Sequence, residues 1–348
     1  MNKCYFLGSP TPNGFETHFG DEIKSEKFFT YIIKGGPGTG KSTLMKKLAA
    51  ALDSADPAEL YYCSSDPDSL DAILFRKLGL IFVDGTAPHV FEPVYPGAHQ
   101  QLLDLGRFWD CEKLRGSAAD IVKYSDENSR HHARAKRYLG AVCDLNADTL
   151  ASGEAALNRA KLDAYSRRLA AKLFPKTGRG AGTVSLRQIT SVTPKGVSTQ
   201  ESALDGCTRY VVVDPCFAVT DALLKNLSTL AATAGYDVVA SRNVFLSGCV
   251  YEHIVIEELG IAFVSETAAH DSARKINALR FYDHEILRER RKKLTFNQGV
   301  KRELTAAAVD ALKTAKAVHD DLEHCYIEAM DFDGIAKLTE ELAEKLRG

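Results

Sequence analysis

Two kinds of hydrophobic pattern alternate along the chain. Short runs of aromatic and β-branched residues, such as residues 28–33 and 80–83, are typical of buried strands. After the first of these runs, Leu44, Leu48 and Leu52 recur at helical spacing, with lysines between them. This alternation of strand and helix patterns predicts an α/β protein with mainly parallel sheets.

Long helical patterns follow each α/β segment. Residues 125–173 are rich in Ala, Arg, Leu and Lys, and residues 284–346 are similar. Apolar residues recur at helical intervals within 148–173 and 332–346. We expect each region to form a helical hairpin attached to the α/β core that precedes it. Such hairpins can pair lobes or subunits, so a homo-oligomer is compatible with the pattern.

A glycine-rich loop joins one strand pattern to one helix pattern. It consists of Gly35, Gly36, Pro37, Gly38, Thr39, Gly40, Lys41, Ser42 and Thr43. This stretch matches G-x-x-x-x-G-K-[ST], in which glycines let backbone N–H groups approach phosphate oxygens at a helix N-terminus. In this motif the lysine reaches the β- and γ-phosphates and the hydroxyl binds Mg²⁺. We therefore predict that the loop binds a nucleoside triphosphate.

Composition adds limits to this picture. The chain has 348 residues, of which 45% are hydrophobic and 26% charged, and its net charge is −2. Its length favours two domains, residues 1–176 and 184–348, with a join in the Pro- and Gly-containing region 174–183. Nucleic acid is not expected as a partner, and no apolar run has the length of about 20 residues that a membrane helix needs. The N-terminus lacks a signal-peptide pattern and the eight cysteines are scattered, so we expect a cytoplasmic protein with reduced thiols.

Segments of the first half recur in the second half in the same order, at separations of 173 to 182 residues. The matched segments are 9–15 with 191–197, 31–33 with 210–212, 78–83 with 259–264, 86–89 with 267–270, and 107–110 with 280–283. The loop helix also matches residues 223–227 in register. Segments that recur in the same order predict two copies of one fold.

The second copy of the glycine-rich loop is degenerate. A gapless alignment places residues 214–222 against the loop, with Asp214 at Gly35, Thr220 in place of the lysine and Asp221 in place of the serine. The loop glycines are lost and two carboxylates are added. We therefore expect one active lobe and one pseudo-NTPase lobe.

Two aspartates are candidates beside the loop. Asp84 ends an apolar strand, as the Walker-B aspartate that assists Mg²⁺ binding does, so we assign Ser42 and Asp84 to the metal. Asp66 follows another strand and could position the attacking water, although Ser-Asp-Pro-Asp is equally a good helix start. His89 recurs as His270 in the degenerate half, which favours a structural role for it.

Segments 9–15, 35–43, 64–71 and 83–89 together resemble an uncharacterised bacterial family of tandem P-loop ATPases, within the P-loop NTPase superfamily. The resemblance covers nearly the whole chain. It implies that the fixed positions of the first loop bind ATP and Mg²⁺. The family carries a phosphate loop in each half, and residues 214–222 depart from that pattern.

Together, the motifs predict two P-loop NTPase-like lobes, of which the first binds ATP with Mg²⁺ and hydrolyses it slowly, with Lys41 and Asp66 as catalytic residues. Two alternatives remain open. One is a phosphotransferase that moves the γ-phosphate to a small acceptor. The other is a nucleotide-gated interaction protein, in which the degenerate lobe contributes to a surface for an unknown protein partner. ATP is preferred over GTP because no Asn-Lys-x-Asp motif is present.

Overall fold

The computed structural model describes residues 2–11, 14–17, 19–87, 90–270 and 273–347. Two six-stranded sheets form its two cores, and each sheet is accompanied by a two-stranded hairpin. The strands of the first half are β1 (Cys4–Phe6), β2 (Gly8–Thr11), β3 (Gly14–Thr17), β4 (Phe29–Lys34), β5 (Glu59–Tyr62), β6 (Leu70–Phe75), β7 (Leu80–Asp84) and β8 (Gln100–Asp104).

The second half repeats this set of strands. They are β9 (Val184–Leu186), β10 (Thr190–Thr193), β11 (Gly196–Thr199), β12 (Thr208–Val213), β13 (Val238–Arg242), β14 (Tyr251–Ile256), β15 (Ile261–Ser265) and β16 (Arg274–Asn277). The helices are α1 (Gly20–Lys24), α2 (Lys41–Leu52), α3 (Cys111–Gly116), α4 (Ala118–Ala156), α5 (Arg159–Leu173), α6 (Ala218–Thr233), α7 (His284–Ile327) and α8 (Phe332–Arg347).

The two sheets have the same topology. Their strand orders are β1-β5-β6-β7-β4-β8 and β9-β13-β14-β15-β12-β16. In each sheet one strand, β6 or β14, is antiparallel to its neighbours, and the other pairings are parallel. The crossover through α2 or α6 keeps the strands that it joins parallel, whereas short connections around β6 and β14 reverse the chain. The prediction of an α/β protein with two mainly parallel sheets is confirmed.

Equivalent residues of the two halves meet where the two cores join. Phe6 pairs with Gln188 in an antiparallel bridge, and the Ser191 hydroxyl donates to the Ser9 hydroxyl over 2.9 Å. Both pairs are separated by the same number of residues as the matched segments 9–15 and 191–197. Contacts between equivalent residues require a local approximate two-fold relation between the halves.

The long helices do not form the expected hairpins. Helix α4 packs along α7, while α5 packs on α6 of the second core and α8 packs on α2 of the first core. The buried cluster around Leu223 accordingly contains Leu162 from α5, and the cluster around Leu44 contains Leu342 from α8. The prediction of a hairpin on each preceding core was wrong, because an apolar helix face does not specify which surface will cover it.

Each half thus contributes a helix to the core of the other half, and the ends of the long helices α4 and α7 lie side by side. Trp109 bridges to Met330, and Tyr282 bridges to Leu157, so the start of each long helix lies beside the end of the other. The two helices therefore run antiparallel and connect the cores along their length. Within the described part of the chain, no helix combines the length and the apolar character that crossing a bilayer requires.

Candidate functional site

The glycine-rich loop lies at one edge of the first sheet. It connects β4 to α2, and β4 is flanked by the parallel strands β7 and β8. Gly38 and Gly40 have φ angles of 66° and 81°, and Gly40 is the N-cap residue of α2. These left-handed conformations favour glycine. They let the chain turn tightly from the strand into the first turn of the helix.

Lys41 folds back across the loop. Its ammonium donates to the Gly36 carbonyl over 2.6 Å and to the Gly35 carbonyl over 3.2 Å. It also lies 3.5 Å from Asp84 Oδ2, and both side chains are only 12% exposed. Because β7 is parallel to β4, the carboxyl end of β7 brings Asp84 to the edge that carries the loop. A cation that is mostly shielded from solvent, a carboxylate and the N-terminus of α2 are thus assembled at one point.

Two of the remaining loop residues have hydrogen-bond partners. The Thr39 hydroxyl donates to the Gly36 carbonyl over 2.8 Å, which closes the turn. The Ser42 hydroxyl oxygen accepts the Leu70 N–H over 2.9 Å. Pro37 is half-buried, and Thr43 is exposed on the first turn of α2.

The predicted metal pair is not joined directly. Asp84 Oδ1 accepts from the backbone N–H and the hydroxyl of Thr86, over 2.8 and 2.5 Å. Within the described residues no hydrogen bond links Ser42 to Asp84, nor does any group of three or more His, Cys, Asp and Glu residues suit a metal ion. Mg²⁺ commonly needs only one or two carboxylates when phosphates and waters complete its shell. Asp84 supplies one such carboxylate, whose two oxygen atoms contact Thr86 and Lys41.

Asp66 lies in the turn that leads into β6. Its carboxylate accepts from the Ser69 hydroxyl over 2.8 Å, its carbonyl accepts the Ser69 N–H over 2.9 Å, and Lys316 Nζ lies 3.7 Å from Oδ2. These contacts stabilise a turn that leads into a strand, so the helix start expected at Asp66 is not formed. The structure does not bring it into contact with Lys41. His89 lies outside the described residues.

Helix α7 covers the loop with side chains that the sequence did not indicate. Glu323 Oε1 accepts the Gly38 N–H over 3.3 Å, and His319 Nε2 lies 3.5 Å from the same oxygen. A Cβ added to Gly36 would lie 2.7 Å from the Tyr326 ring. Residues 316, 319, 323 and 326 follow one helix face, so their spacing is visible in the sequence. Nothing in that spacing shows that the face meets a loop almost 300 residues away.

The Glu323 carboxylate is an anion that the chain itself places on the loop. Hydrogen bonding from His319 lowers the pKa of Glu323 below its ordinary value, and Lys316 and the Gly38 N–H act in the same direction. The group is therefore ionised near neutral pH. A carboxylate that accepts a backbone N–H of this loop indicates that the loop attracts anions.

The second loop keeps the turn, but side chains occupy several of its backbone donors. Asp214 Oδ2 accepts from the Thr220 N–H over 2.8 Å, and Asp214 Oδ1 accepts from the Cys216 N–H over 3.0 Å and the Tyr282 hydroxyl over 2.7 Å. The Tyr282 oxygen in turn accepts the Val219 N–H over 3.1 Å. Burial, together with the neighbouring Asp214, raises the pKa of Tyr282 far above its ordinary value. The N–H groups of Cys216, Val219 and Thr220 are thus occupied by the chain's own oxygen atoms.

Backbone geometry supports the alignment of the two loops. Phe217 has a φ of 65°, at the position where Gly38 has 66°. Asp221 accepts the Tyr251 N–H over 2.8 Å, as Ser42 accepts the Leu70 N–H. The second copy therefore retains the path of the chain while its side chains have changed.

Comparison of the chain with protein-family models, with curated proteins and with solved structures finds no match. The resemblance to tandem P-loop ATPases stays a prediction.

Proposed function

We propose that the chain binds ATP with Mg²⁺ at the glycine-rich loop of its first core, in a P-loop NTPase-like fold, and hydrolyses it slowly. One observation carries this proposal. The loop places Lys41 between its own carbonyl groups and Asp84, at the N-terminus of α2. A lysine, a carboxylate and a helix N-terminus in this arrangement are what triphosphate binding requires.

Each residue has a defined task in this proposal. The loop N–H groups and the helix N-terminus bind the phosphate oxygens, because backbone donors and the positive end of the helix dipole attract anions. Lys41 exchanges its carbonyl partners for the β- and γ-phosphates and stabilises the charge that develops on the transferred group. Ser42 and Asp84 hold Mg²⁺, which neutralises phosphate charge when bound.

Hydrolysis would proceed by in-line attack of water on the γ-phosphorus, with ADP as the leaving group. Asp66 is the proposed water-positioning residue, but its carboxylate already binds Ser69 and faces Lys316. A carboxylate held by two partners orients water poorly. Slow turnover follows from this arrangement.

The second core would not bind a triphosphate through its loop. Asp214 occupies the N–H groups of Cys216 and Thr220, and its charge would repel phosphate. One nucleotide per chain is therefore expected.

A nucleotide-gated interaction protein is the second candidate, and α7 favours it. This helix begins at the second core and reaches the loop of the first, where Glu323 contacts Gly38. A phosphate that displaces Glu323 would change the seating of a helix that both cores share. Slow turnover would then reset the switch.

Calorimetric titration with Mg²⁺·ATP tests the primary proposal. We expect one site per chain in the wild type and no binding in Lys41→Ala. The matched control is Lys47→Ala, because Lys47 is an exposed lysine of the same helix. Two sites per chain, or binding that survives Lys41→Ala, would contradict the proposal. Faster ATP consumption on addition of a small acceptor would instead identify a phosphotransferase.

A further inference from the structure

A wide cleft lies over the degenerate loop of the second core. It has a volume of about 1400 Å³, and α4, α7 and the carboxyl edge of the second sheet surround it. Pockets for drug-sized ligands usually have about 300–1,000 Å³. The cleft is therefore large enough for a ligand bigger than a mononucleotide.

One wall of the cleft carries cations from a single face of α7. They are Arg288, Arg291, Lys301 and Arg302, and within the described residues none of them forms an ion pair with a carboxylate. Lys301 is half-buried, and its ammonium lies 4.9 Å from the centre of the Phe217 ring. Burial lowers the pKa of Lys301. A desolvated cation in a cleft gains most from an anionic partner.

The floor of the cleft carries two buried oxygen atoms without hydrogen-bond partners among the described residues. They are Asn146 Oδ1 and Glu252 Oε2, in residues that are each 2% exposed. His253 Nε2 lies 3.6 Å from Glu252 Oε2, but burial lowers the pKa of that histidine to about 3, so it supplies no counter-charge. Asn146 is oriented by its amide, which donates to the Phe245 carbonyl over 3.1 Å. Glu252 is oriented by Ser265 and Thr267, which both donate to its other oxygen over 3.0 Å. Buried polar atoms are normally satisfied, so this pair points to a polar group of a ligand.

Apolar side chains form the rest of the surface, among them Phe217, Phe245, Val250, Leu287 and Leu294. The acidic residues of the cleft are partly neutralised. They are Asp214, Glu252, Glu266 and Asp310. Asp214 is bound within the loop, Asp310 lies 3.4 Å from Lys313, and burial raises the pKa of Glu252 to about 7. With Lys313 included, five Lys and Arg side chains and four carboxyl groups line the cleft, so it combines an apolar surface with a small excess of cations.

We propose that this cleft is a second binding site, for an organic anion that joins an apolar body to a phosphate or carboxylate group. The cations of α7 bind the anionic group and the apolar side chains cover the body. Asn146 and Glu252 bind a hydroxyl or amide of the ligand. The degenerate loop contributes Phe217 to the apolar surface and takes no part in binding the anion.

Dodecyl phosphate, below its micellar concentration, is the probe for this site. It is titrated against bound 8-anilinonaphthalene-1-sulfonate, whose fluorescence reports displacement. We expect displacement by dodecyl phosphate and none by dodecyltrimethylammonium, which has the same chain and the opposite charge. Laurate distinguishes a carboxylate preference from a phosphate preference.

Substitutions on α7 locate the site. Lys301→Gln should weaken dodecyl phosphate binding about tenfold, the loss expected for one charge-assisted hydrogen bond. Lys292→Gln removes the same charge from an exposed position of α7 outside the cleft. Its dissociation constant for dodecyl phosphate should stay within about twofold of the wild-type value. Arg291→Gln is a second variant, and it should fold normally because Arg291 is exposed. Equal binding by wild type, Lys301→Gln and Arg291→Gln would overturn the proposal.

The same titration in Lys41→Ala separates this site from the glycine-rich loop. Binding should be unchanged, because Lys41 belongs to the other core. Loss of dodecyl phosphate binding in Lys41→Ala would assign the anion to the first loop and overturn the proposal. This result would leave the ATP proposal standing, so the two can fail independently.

Discussion

Replacing Glu323 by glutamine should tighten the binding of Mg²⁺·ATP. The Glu323 carboxylate accepts the Gly38 N–H over 3.3 Å, and that N–H belongs to the loop proposed to bind phosphate. Carboxylate and phosphate would compete for one donor, and they would repel each other while both are near it. Glutamine keeps the size and the hydrogen-bonding oxygen of the side chain but removes its charge.

The magnitude follows from the geometry. A phosphate oxygen at the Gly38 N–H would lie about 4 Å from the carboxylate, where two unit charges interact by about 4 kcal/mol at an effective dielectric constant of about 20. The Glu323 side chain is 30% exposed and His319 lies 3.5 Å away. Solvent and the imidazole reduce the repulsion to about 1–2 kcal/mol. The dissociation constant should therefore fall by about 5- to 30-fold.

Calorimetry at pH 7.5 and constant ionic strength measures the change. The matched control is Asp321→Asn, which removes one charge from an exposed position of α7 and should change affinity by less than about twofold. Equal or weaker ATP binding by Glu323→Gln would refute the reasoning. It would show that Glu323 supports the bound state, for example by orienting the loop.

Three further predictions concern stability and loop geometry. Gly38→Ala should weaken ATP binding and, in a urea titration, lower the free energy of unfolding by about 1–2 kcal/mol. The reason is that Gly38 has a φ of 66° and that a Cβ there would lie 2.8 Å from the Glu323 carbonyl oxygen. Gly116→Ala is the control and should not be destabilised, because the space around Gly116 is open. Burial raises the pKa of Glu252 from 4.5 to about 7. The stability that this carboxyl contributes is thus fully present below pH 4.5 and is lost as the pH rises through 7. Urea titrations at several pH values measure this effect. Across that window the free energy of unfolding of the wild type should fall by about 3 kcal/mol relative to that of Glu252→Gln. A difference between the two proteins that stays constant with pH would contradict the raised pKa. Leu162→Ala should lower the free energy of unfolding by about 2–4 kcal/mol. Hydrogen exchange should show reduced protection in α6. Reduced protection confined to the first core would contradict the packing of α5 on the second core.

The sequence determined those features that depend on neighbours along the chain. Alternating strand and helix patterns sufficed for the α/β class, because buried strands and amphipathic helices have different hydrophobic periods. Glycines at positions 38 and 40 indicated a turn that requires positive φ. The order β4, loop, α2 also followed, since each part is specified by its own residues.

The duplicated segments also predicted relations between residues that are far apart in sequence, because each segment of the first half corresponds to one of the second half. They indicated equivalent strands, and the two sheets have the same order and directions. The substitutions Asp214 and Asp221 indicated a changed second loop. That the Asp214 carboxylate turns inward and occupies the loop's own N–H groups was decided by the folded backbone.

Only the tertiary structure decided how the helices are shared. The apolar faces of α5 and α8 are evident in the sequence, yet each covers the core of the other half. Hydrophobic burial is non-directional, so a periodic face specifies that a helix is covered and leaves its partner open.

The same limit applies to both sites. Glu323 reaches Gly38, and the cations of α7 face the cleft over Phe217, because one long helix spans both cores. Such contacts join residues that are far apart in sequence and lack any motif. The sequence alone thus specified the glycine-rich loop, and the packing of α7 decided what that loop and its degenerate counterpart face.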